Sequence, residues 1–484
     1  MTPATRVRRL LIGIATLAVL AAAVALAVQP AATPSLGPSG LGRGGEAIEQ
    51  AITTDQREDA LRAAIADGTF GRRTPAVGRA APGWVGERVM GATTDDWEPA
   101  EAADPRAPWV YVLTTRYGEP KPCPGNCPSP FIALEISSDG GQTFGAPRPL
   151  CACKGSGQFD PIIEVVPSNG AVYAVYMNGY NVVFVRSDDH GRTWTDPVTT
   201  YGQVAWTDKP VLTMSDDGRH VYVSWNGPRG GDPWVAVSHD RGATWSQKRI
   251  RDLDRYFFAY DAAVGPDGTV VFSESSLEYA NGDSVVGVVR QHLFVSHDQG
   301  RSWTVRTVAS VDPGQPCADC RADYYIGHSS VDIDATGRIV YAYDGAVTTD
   351  GPQRVWVRTS ADHGATWSAP VLVSTPGEHA SSPTLETRGN GDVRLVYMQT
   401  SDDAGADRWN AWYRRSADGG LTWTSPVDIS DRTGGAAYQH PDGFEEIYGD
   451  YGEIAITSSG ETFAIWGEAF SYAGPGGSWF NVER

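Results

Sequence analysis

Acidic side chains recur at one position of a repeated segment in this sequence. The segment is a short apolar stretch that ends in a turn glycine, and the residue ten places before that glycine is aspartate in three of seven units, namely Asp160, Asp208 and Asp450. Carboxylates that converge on a concave surface can bind a cation, hold sugar hydroxyl groups, or act as an acid and a base. The alternative is that these aspartates accept backbone N–H groups and cap the strands.

Other side chains that could contact a ligand or transfer a proton lie near the same position or in the segment HPDGFEEIYGDYGEIAI (440–456). A glutamate beside a tyrosine can activate the phenol as a nucleophile, and this segment contains both. The catalytic candidates are Asp208, Asp261, Glu446, Tyr448, Asp450 and Tyr451. The candidates for binding substrate are Asp160, Lys209, Tyr260, His328, Arg116 and Arg321.

Four short strands in each repeat position these side chains. In one unit the segments PIIEVVPSNG, AVYAVYMN and NVVFVRS alternate apolar and polar residues, which is typical of half-buried antiparallel strands. Four such strands, A to D, form one blade of a β-propeller. Since the A strands of a propeller line its central channel, their first residues point at one mouth of that channel.

The strongest repeat is an eight-residue phrase with the pattern Ser-x-Asp-x-Gly-x-Thr/Ser-aromatic. It occurs as SSDGGQTF (137–144), SDDHGRTW (187–194), SHDRGATW (238–245), SHDQGRSW (296–303), SADHGATW (360–367) and SADGGLTW (416–423). The aspartate can accept backbone N–H groups of a tight turn, the glycine can take a positive φ, and the aromatic ring supplies an apolar anchor. The phrase therefore predicts a scaffold turn between the C and D strands, at the end of each blade opposite the mouth.

This phrase resembles the Asp-box, or BNR repeat, of the sialidase superfamily and related propellers. The resemblance implies an all-β propeller and, for a sialidase, a tyrosine paired with a glutamate, an aspartic acid as acid/base, and three arginines that grip the substrate carboxylate. The Arg-Ile-Pro signature expected near the first blade is absent, and the nearest segment, Arg106-Ala107-Pro108, falls at the opposite end of the blade. Arginines predicted at the mouth end are Arg116, Arg229, Arg255 and Arg321, and their spacing does not identify a triad.

Seven A strands can be counted although there are six Asp-boxes. The last unit lacks a D strand, and WVGERVMG (84–91) precedes the first A strand without a blade of its own. If the first strand completes the last blade, no sheet edge is left unpaired. We therefore predict seven blades of four antiparallel strands with a shared closing blade. The alternative, which the sialidase resemblance would give, is six blades.

The N-terminal region differs from the repeats. Three arginines precede an apolar run, Leu10–Val28, so we interpret 1–32 as a signal peptide or a membrane anchor. Residues 33–83 are predicted to be a linker with a short helix at 46–67, and 84–484 to be the propeller. This organisation predicts a secreted, extracellular protein or one anchored at the cell surface.

Charge and cysteine content restrict the partners. The net charge of −19 argues against nucleic acid as a partner. The even number of cysteines in an exported protein indicates disulfides, with a metal site of four clustered thiols as the alternative. The cysteines are Cys123, Cys127, Cys151, Cys153, Cys317 and Cys320. We expect the first four to pair among themselves and the last two with each other. No cofactor is predicted, and the alternative is a structural Ca²⁺.

Two functions fit this sequence. The first is a secreted, sialidase-like propeller that hydrolyses glycans as an exo-glycosidase at the channel mouth opposite the Asp-boxes. The second is a non-catalytic propeller that binds a glycan, a glycoconjugate or an extracellular protein through its disulfide-linked face. In either case we expect a monomer.

Overall fold

The computed structural model describes most of the repeat region and part of the N-terminal segment. The described residues are 54–67, 80–91, 94–118, 128–151, 157–204, 207–227, 231–251, 255–280, 284–285, 287–313, 327–348, 351–401, 405–430, 436–437, 439–440, 443–444, 451–469 and 476–484. One helix, α1 (Thr54–Ala66), covers the second half of the helix predicted at 46–67, and the first half lies outside the described residues. Within the described residues, no helix has the length and apolar character needed to cross a bilayer.

The strands form seven four-stranded antiparallel blades, as the sequence predicts. Strand β1 is Arg88–Met90. Blade 1 contains β2 (Asp95–Ala103), β3 (Val110–Tyr117), β4 (Phe131–Ser137) and β5 (Arg148–Pro149). Blade 2 contains β6 (Gln158–Val165), β7 (Val172–Asn178), β8 (Val182–Ser187) and β9 (Val198–Thr199). Blade 3 contains β10 (Asp208–Met214), β11 (Val221–Asn226), β12 (Pro233–Ser238) and β13 (Ser246–Arg249).

The later blades carry small additions. Blade 4 contains β14 (Tyr256–Val264), β15 (Val270–Leu277), the short pair β16 (Tyr279–Ala280) and β17 (Ser284–Val285), then β18 (Val289–Ser296) and β19 (Thr304–Val311). Blade 5 contains β20 (Ser329–Ile333), β21 (Ile339–Gly345), β22 (Arg354–Ser360) and β23 (Val371–Leu372). Blade 6 contains β24 (Ala380–Arg388), β25 (Asp392–Ser401), β26 (Gly405–Ser416), β27 (Val427–Asp428) and β28 (Ala436–Ala437). A short pair follows, β29 (Gln439–His440) and β30 (Gly443–Phe444).

The seventh blade joins the two ends of the chain. Its strands are β31 (Gly452–Ile456), β32 (Thr462–Ala469), β33 (Gly476–Val482) and, as the outer strand, β1. Strand β1 pairs antiparallel with β33, and Trp84 forms an isolated bridge with Glu483. The shared closing blade is therefore confirmed, and the six-blade alternative is wrong.

Apolar clusters fill the spaces between neighbouring blades. One cluster joins blades 1 and 2, where Leu113 and Leu134 pack with Val172 and Val185. Similar clusters join blades 3 and 4, blades 4 and 5, blades 5 and 6, and blades 7 and 1. Because the apolar core lies between the sheets, the innermost strands remain available to line the channel.

Each Asp-box forms the same closed set of hydrogen bonds. In the second box, Thr193 donates its backbone N–H and its hydroxyl to the two oxygens of Asp189, at 2.8 and 2.7 Å. Ser187 Oγ donates to the same carboxylate and accepts the N–H of Gly191, both at 2.8 Å. The other five boxes repeat these four bonds. The predicted turn role of the aspartate is confirmed.

The box glycine has a second role that the sequence does not reveal. Gly242 has a φ of +78°, and a Cβ placed there would lie 2.1 Å from a ring carbon of Phe184 in the preceding blade. In the next box, a Cβ at Gly300 would lie 2.7 Å from the side chain of Val237. The turn therefore needs glycine both for its backbone conformation and for its contact with the blade before it.

Comparison of two glycines separates these roles. Gly268 has a φ of +82°, and a Cβ there would meet nothing within 4 Å, so Gly268→Ala should cost about 1–2 kcal/mol for the left-handed conformation alone. Gly242→Ala should lose a further 1–3 kcal/mol or so, because the methyl group overpacks the contact with Phe184. Urea unfolding of both variants measures the difference. Equal destabilisation would show that the contact between blades contributes nothing.

The Asp-boxes should also make the protein sensitive to acid. Hydrogen bonds from the Thr or Ser four residues on lower the pKa to about 2 in four boxes, at Asp189, Asp298, Asp362 and Asp418. In acid, the unfolded chain therefore binds more protons than the folded one. The stabilisation that these aspartates contribute should be complete above about pH 4 and should be lost as the pH falls from about 4 to 2. Unfolding followed over this range tests the expectation. Asp418→Asn should reduce the slope, and an unchanged slope would contradict it.

Candidate functional site

A bulge shapes the start of the innermost strand in four blades. The bulged residue is polar, has a positive φ of 46–52° and precedes a proline: Glu98, Asp160, Lys209 and Ser382. Pairing with the next strand shifts its register at the same place in each blade. Bulges turn side chains away from their regular direction and often lie beside functional sites. The recurring segments WEP, FDP, DKP and SSP are the sequence signal for this feature.

The bulges correct the predicted alignment of the aspartates. Asp208 pairs with Asn226 before the bulge of blade 3, and Phe159 pairs with Met177 at the matching place in blade 2. Asp160 is therefore equivalent to Lys209 and not to Asp208. The count from the turn glycine fails because Gly170 lies two residues before the first paired residue of β7, whereas Gly218 lies three before that of β11.

Two candidate residues meet at the mouth of the channel. Tyr451 donates its hydroxyl to Asp160 Oδ1 at 2.6 Å, although the two residues lie 291 positions apart. Lys209 Nζ lies 4.7 Å from the ring centroid of Tyr451 and 5.6 Å from that of Tyr260. The ammonium group is thus held over aromatic faces, an arrangement stabilised by cation–π attraction. We call these four residues the mouth cluster.

A buried histidine–aspartate pair adjoins the mouth cluster. The His328 ring centroid lies 5.3 Å from that of Tyr260, and His328 Nδ1 lies 2.9 Å from Asp344 Oδ2. Asp344 is fully buried, and it also accepts the hydroxyl of Ser381 at 2.6 Å and the N–H of Gly327 at 2.7 Å. A carboxylate on Nδ1 fixes the orientation of the imidazole and leaves Nε2 as the nitrogen that could transfer a proton.

The channel contains a cavity of about 330 Å³, and its wall includes Lys209, Tyr260 and Tyr451 of the mouth cluster. Six of the seven innermost strands contribute one carboxylate to its wall: Glu101, Glu164, Asp261, Asp332, Glu386 and Glu453. Blade 3 contributes Lys209 and Thr213 instead. We call the six acids the channel carboxylates.

Four channel carboxylates accept hydrogen bonds from the innermost strand of the next blade. Asp261 accepts the N–H of Val331 at 3.0 Å, and Asp332 accepts that of Thr387 at 2.7 Å. Glu386 accepts the N–H of Ile456 at 2.7 Å, and Glu453 accepts that of Glu101. These bonds join blades 4, 5, 6, 7 and 1 in sequence around the channel.

Burial raises the pKa of the channel carboxylates. The pKa of Asp332 rises to about 6, that of Asp261 to about 7 and that of Glu386 to about 8. The pKa of Glu101, Glu164 and Glu453 rises well above the usual range, because burial and the neighbouring acids both disfavour their charged forms. The cavity therefore favours protons or other positive charge beside these groups.

The comparison with known proteins agrees with this architecture. Residues 121–317 match the family described as BNR repeat-like domain. The chain is a seven-bladed β-propeller, and this segment of it is similar to BNR repeats. No curated protein matches this propeller.

Solved structures similar to the propeller include a protein of unknown function from Dyadobacter fermentans, 13% identical, with 83% of this chain and 100% of that one covered and a TM-score of 0.48. An ulvan lyase is 12% identical, with 82% of this chain and 94% of the lyase covered and a TM-score of 0.49. A Hadza microbial sialidase is 15% identical, with 78% of this chain and 76% of the sialidase covered and a TM-score of 0.44.

The propeller places the remaining candidates in different environments. Asp208 is buried at the start of β10 and is not part of the cavity wall, whereas Asp261 lies in that wall as one of the channel carboxylates. Glu446, Tyr448, Asp450 and Arg321 lie outside the described residues. Of the cysteines, only Cys151 is among the described residues, where it is disulfide-bonded. The predicted pairing of the six cysteines stays a prediction.

Of the four arginines predicted at the mouth end, Arg229 and Arg321 lie outside the described residues, and Arg116 and Arg255 are not part of the cavity wall. Arg116 instead forms a buried ion pair, with Nε 2.6 Å from Asp96 and Nη2 3.2 Å from Glu135. Arg255 donates to Ser276 and to the carbonyl of Val288. Among the described residues of the cavity wall, the basic side chains are Lys209 and His328, without an arginine. Arg116 was predicted to bind substrate, and its buried pairing makes it a structural residue.

Sequence reasoning missed Asp344 and Ser381. Asp344 ends the apolar segment IVYAYDG, and an acidic residue at the end of an otherwise buried strand is the signal that could have found it. Ser381 belongs to the SSP segment of the blade 6 bulge. Its role depends on a neighbour in another blade, which no local pattern reveals.

Removing Arg116 should destabilise the fold because its partner Asp96 would remain buried without a cation beside it. We expect Arg116→Met to cost roughly 3–5 kcal/mol. Arg415→Met is the matched control, since Arg415 makes a similar two-pronged pair with Asp392 but its side chain is 44% exposed, and it should cost about 0–1 kcal/mol. Denaturant unfolding compares the two. Similar losses would contradict the structural role of Arg116.

Proposed function

We propose that this propeller is a secreted, carbohydrate-active protein that hydrolyses glycans as an exo-glycosidase at the mouth of its channel. The observation that carries the proposal is the hydrogen bond from Tyr451 to Asp160, in a mouth that also holds Lys209 and His328. The sialidase resemblance implies a tyrosine nucleophile beside a carboxylate, and this pair has that form, with aspartate in place of glutamate. The predicted export segment at the N-terminus supports action outside the cell.

The mouth supplies the groups that a two-step hydrolysis needs. Tyr451 Oη attacks the anomeric carbon and gives its proton to Asp160, while the leaving oxygen takes a proton from Nε2 of protonated His328. The glycosidic bond breaks, and a glycosyl–tyrosine bond forms. Water then attacks the anomeric carbon and gives a proton to His328. Tyr451 leaves and recovers its proton from Asp160, so the sugar is released and all groups return to their first state.

Three further side chains support this chemistry. Lys209 lies over the Tyr451 ring, where its positive charge favours a developing phenolate. Asp344 accepts a hydrogen bond from Nδ1 of His328 and so holds the imidazole in one orientation. Tyr260 offers an aromatic face between Lys209 and His328 against which a sugar ring can pack. Since the described wall contains no arginine, we expect binding to depend on contacts with sugar hydroxyl groups more than on contacts with a substrate carboxylate.

The test is hydrolysis of a panel of fluorogenic glycosides, sialosides included, by the full-length protein. Tyr451→Phe and His328→Gln should each reduce kcat by about 10²–10⁴ on any substrate that is cleaved, with little change in thermal stability. Asp188→Asn is the control, because Asp188 pairs with Arg241 at the Asp-box end of the molecule. Hydrolysis that survives Tyr451→Phe unchanged would remove Tyr451 from the mechanism.

The same experiment distinguishes the non-catalytic alternative. If no glycoside is cleaved, a glycan array probed with the wild type and with Tyr260→Ala determines whether the mouth binds sugars. Binding that is lost in Tyr260→Ala, without turnover in the wild type, would support a carbohydrate-binding propeller. The absence of both would contradict a carbohydrate function.

A further inference from the structure

One channel carboxylate, Glu101, lacks the hydrogen-bond partners that four of the others have. Glu101 is only 5% exposed, it lies in the wall of the cavity, and neither oxygen of its carboxylate accepts a hydrogen bond. A buried carboxylate without a partner is costly in a folded protein. The position therefore calls for a ligand that supplies positive charge or hydrogen-bond donors.

The reason for this lack is found in blade 1. In blades 4 to 7, a channel carboxylate accepts a backbone N–H of the next blade, as Glu453 does from Glu101 itself. In blade 1, the bulged residue Glu98 takes over this role and accepts the N–H of Asp160 at 2.9 Å. Glu101 is thus released from holding the neighbouring blade, and its oxygens remain in the cavity wall.

We propose that the channel cavity binds a hydrated divalent metal cation beside Glu101. The acidic groups of the wall offer oxygen donors, which hard cations such as Mg²⁺ and Ca²⁺ prefer. The volume of about 330 Å³ is large enough for an ion together with several waters. Within the described part of the chain, no group of three His, Cys, Asp or Glu side chains is arranged for direct coordination. The carboxylates would therefore act mainly through bound water, as is usual for Mg²⁺.

The charge of the wall favours the same ligand. Six carboxylates face one ammonium group, that of Lys209, which is already engaged with aromatic rings at the mouth. A divalent ion would reduce the repulsion among Glu101, Glu164 and Glu453 and would supply waters that donate to the unpaired oxygens of Glu101. Lys209, Tyr260 and Tyr451 of the mouth cluster line the same cavity. The ion site is argued from Glu101 and does not rest on the proposed hydrolysis.

The test uses full-length protein stripped of metal and kept near neutral pH at constant ionic strength. Calorimetric titration with MgCl₂ and, separately, with CaCl₂ should show one ion bound per chain. A saturating concentration should raise the midpoint of thermal unfolding by about 2 °C or more. Tighter binding of Mg²⁺ than of Ca²⁺ would support the hydrated ion that we propose, and tighter binding of Ca²⁺ would contradict it.

Two matched variants test whether ion binding depends on Glu101. Glu101→Gln should weaken binding by roughly tenfold or more and abolish the thermal shift. Glu274→Gln removes an equally buried carboxyl group that accepts from Ser224 at 2.8 Å and is not part of the cavity wall, so it should bind the ion as the wild type does. No binding of either ion, or equal binding by Glu101→Gln, would overturn the proposal. Loss of hydrolysis in Tyr451→Phe with ion binding retained would show that the two sites are independent.

Discussion

The innermost strand of each blade has only one neighbour in its sheet, and its other edge faces the channel. Backbone N–H groups on such an edge need acceptors, since an unpaired buried donor destabilises the fold. In this protein, acidic side chains of the preceding blade supply those acceptors, as Asp332 does for Thr387 and Glu386 does for Ile456. The wheel is therefore held at its centre by hydrogen bonds between blades, while apolar clusters hold it further out.

This way of satisfying the inner edge also determines the character of the channel. Each of these bonds between blades places a carboxylate near the axis, where burial, and then the neighbouring acids, raise the pKa of groups such as Glu101 and Glu164. Acidic groups near the mouth thus have a structural origin before any functional one. The mouth differs from the deeper channel because its bulges introduce other side chains, among them Lys209, whose ammonium group lies over the Tyr451 ring.

The sequence predicts local features of this protein well and relations between blades poorly. The Asp-box fixes its own turn within eight residues, so its hydrogen bonds could be predicted from Asp189 and Thr193 alone. The closing blade could be predicted because the last repeat lacks a D strand and an additional strand segment, 84–91, precedes the first repeat. The recurring residue-before-proline segments mark the bulges, but a count from the turn glycine does not give the register of Asp160. The pairing of His328 with Asp344 joins two strands, so neither residue's local segment identifies its partner.

The closing blade has a consequence for how the chain reaches its native state. Strand β1 meets β33 across most of the polypeptide, and the Gly86 N–H donates to Asn481 at a separation of 395 residues. Contacts this distant carry a large entropic cost of loop closure and form late in folding. During synthesis, β1 therefore has no partner in its sheet until β33 has been made. In that interval its edge is open to mispairing with other chains.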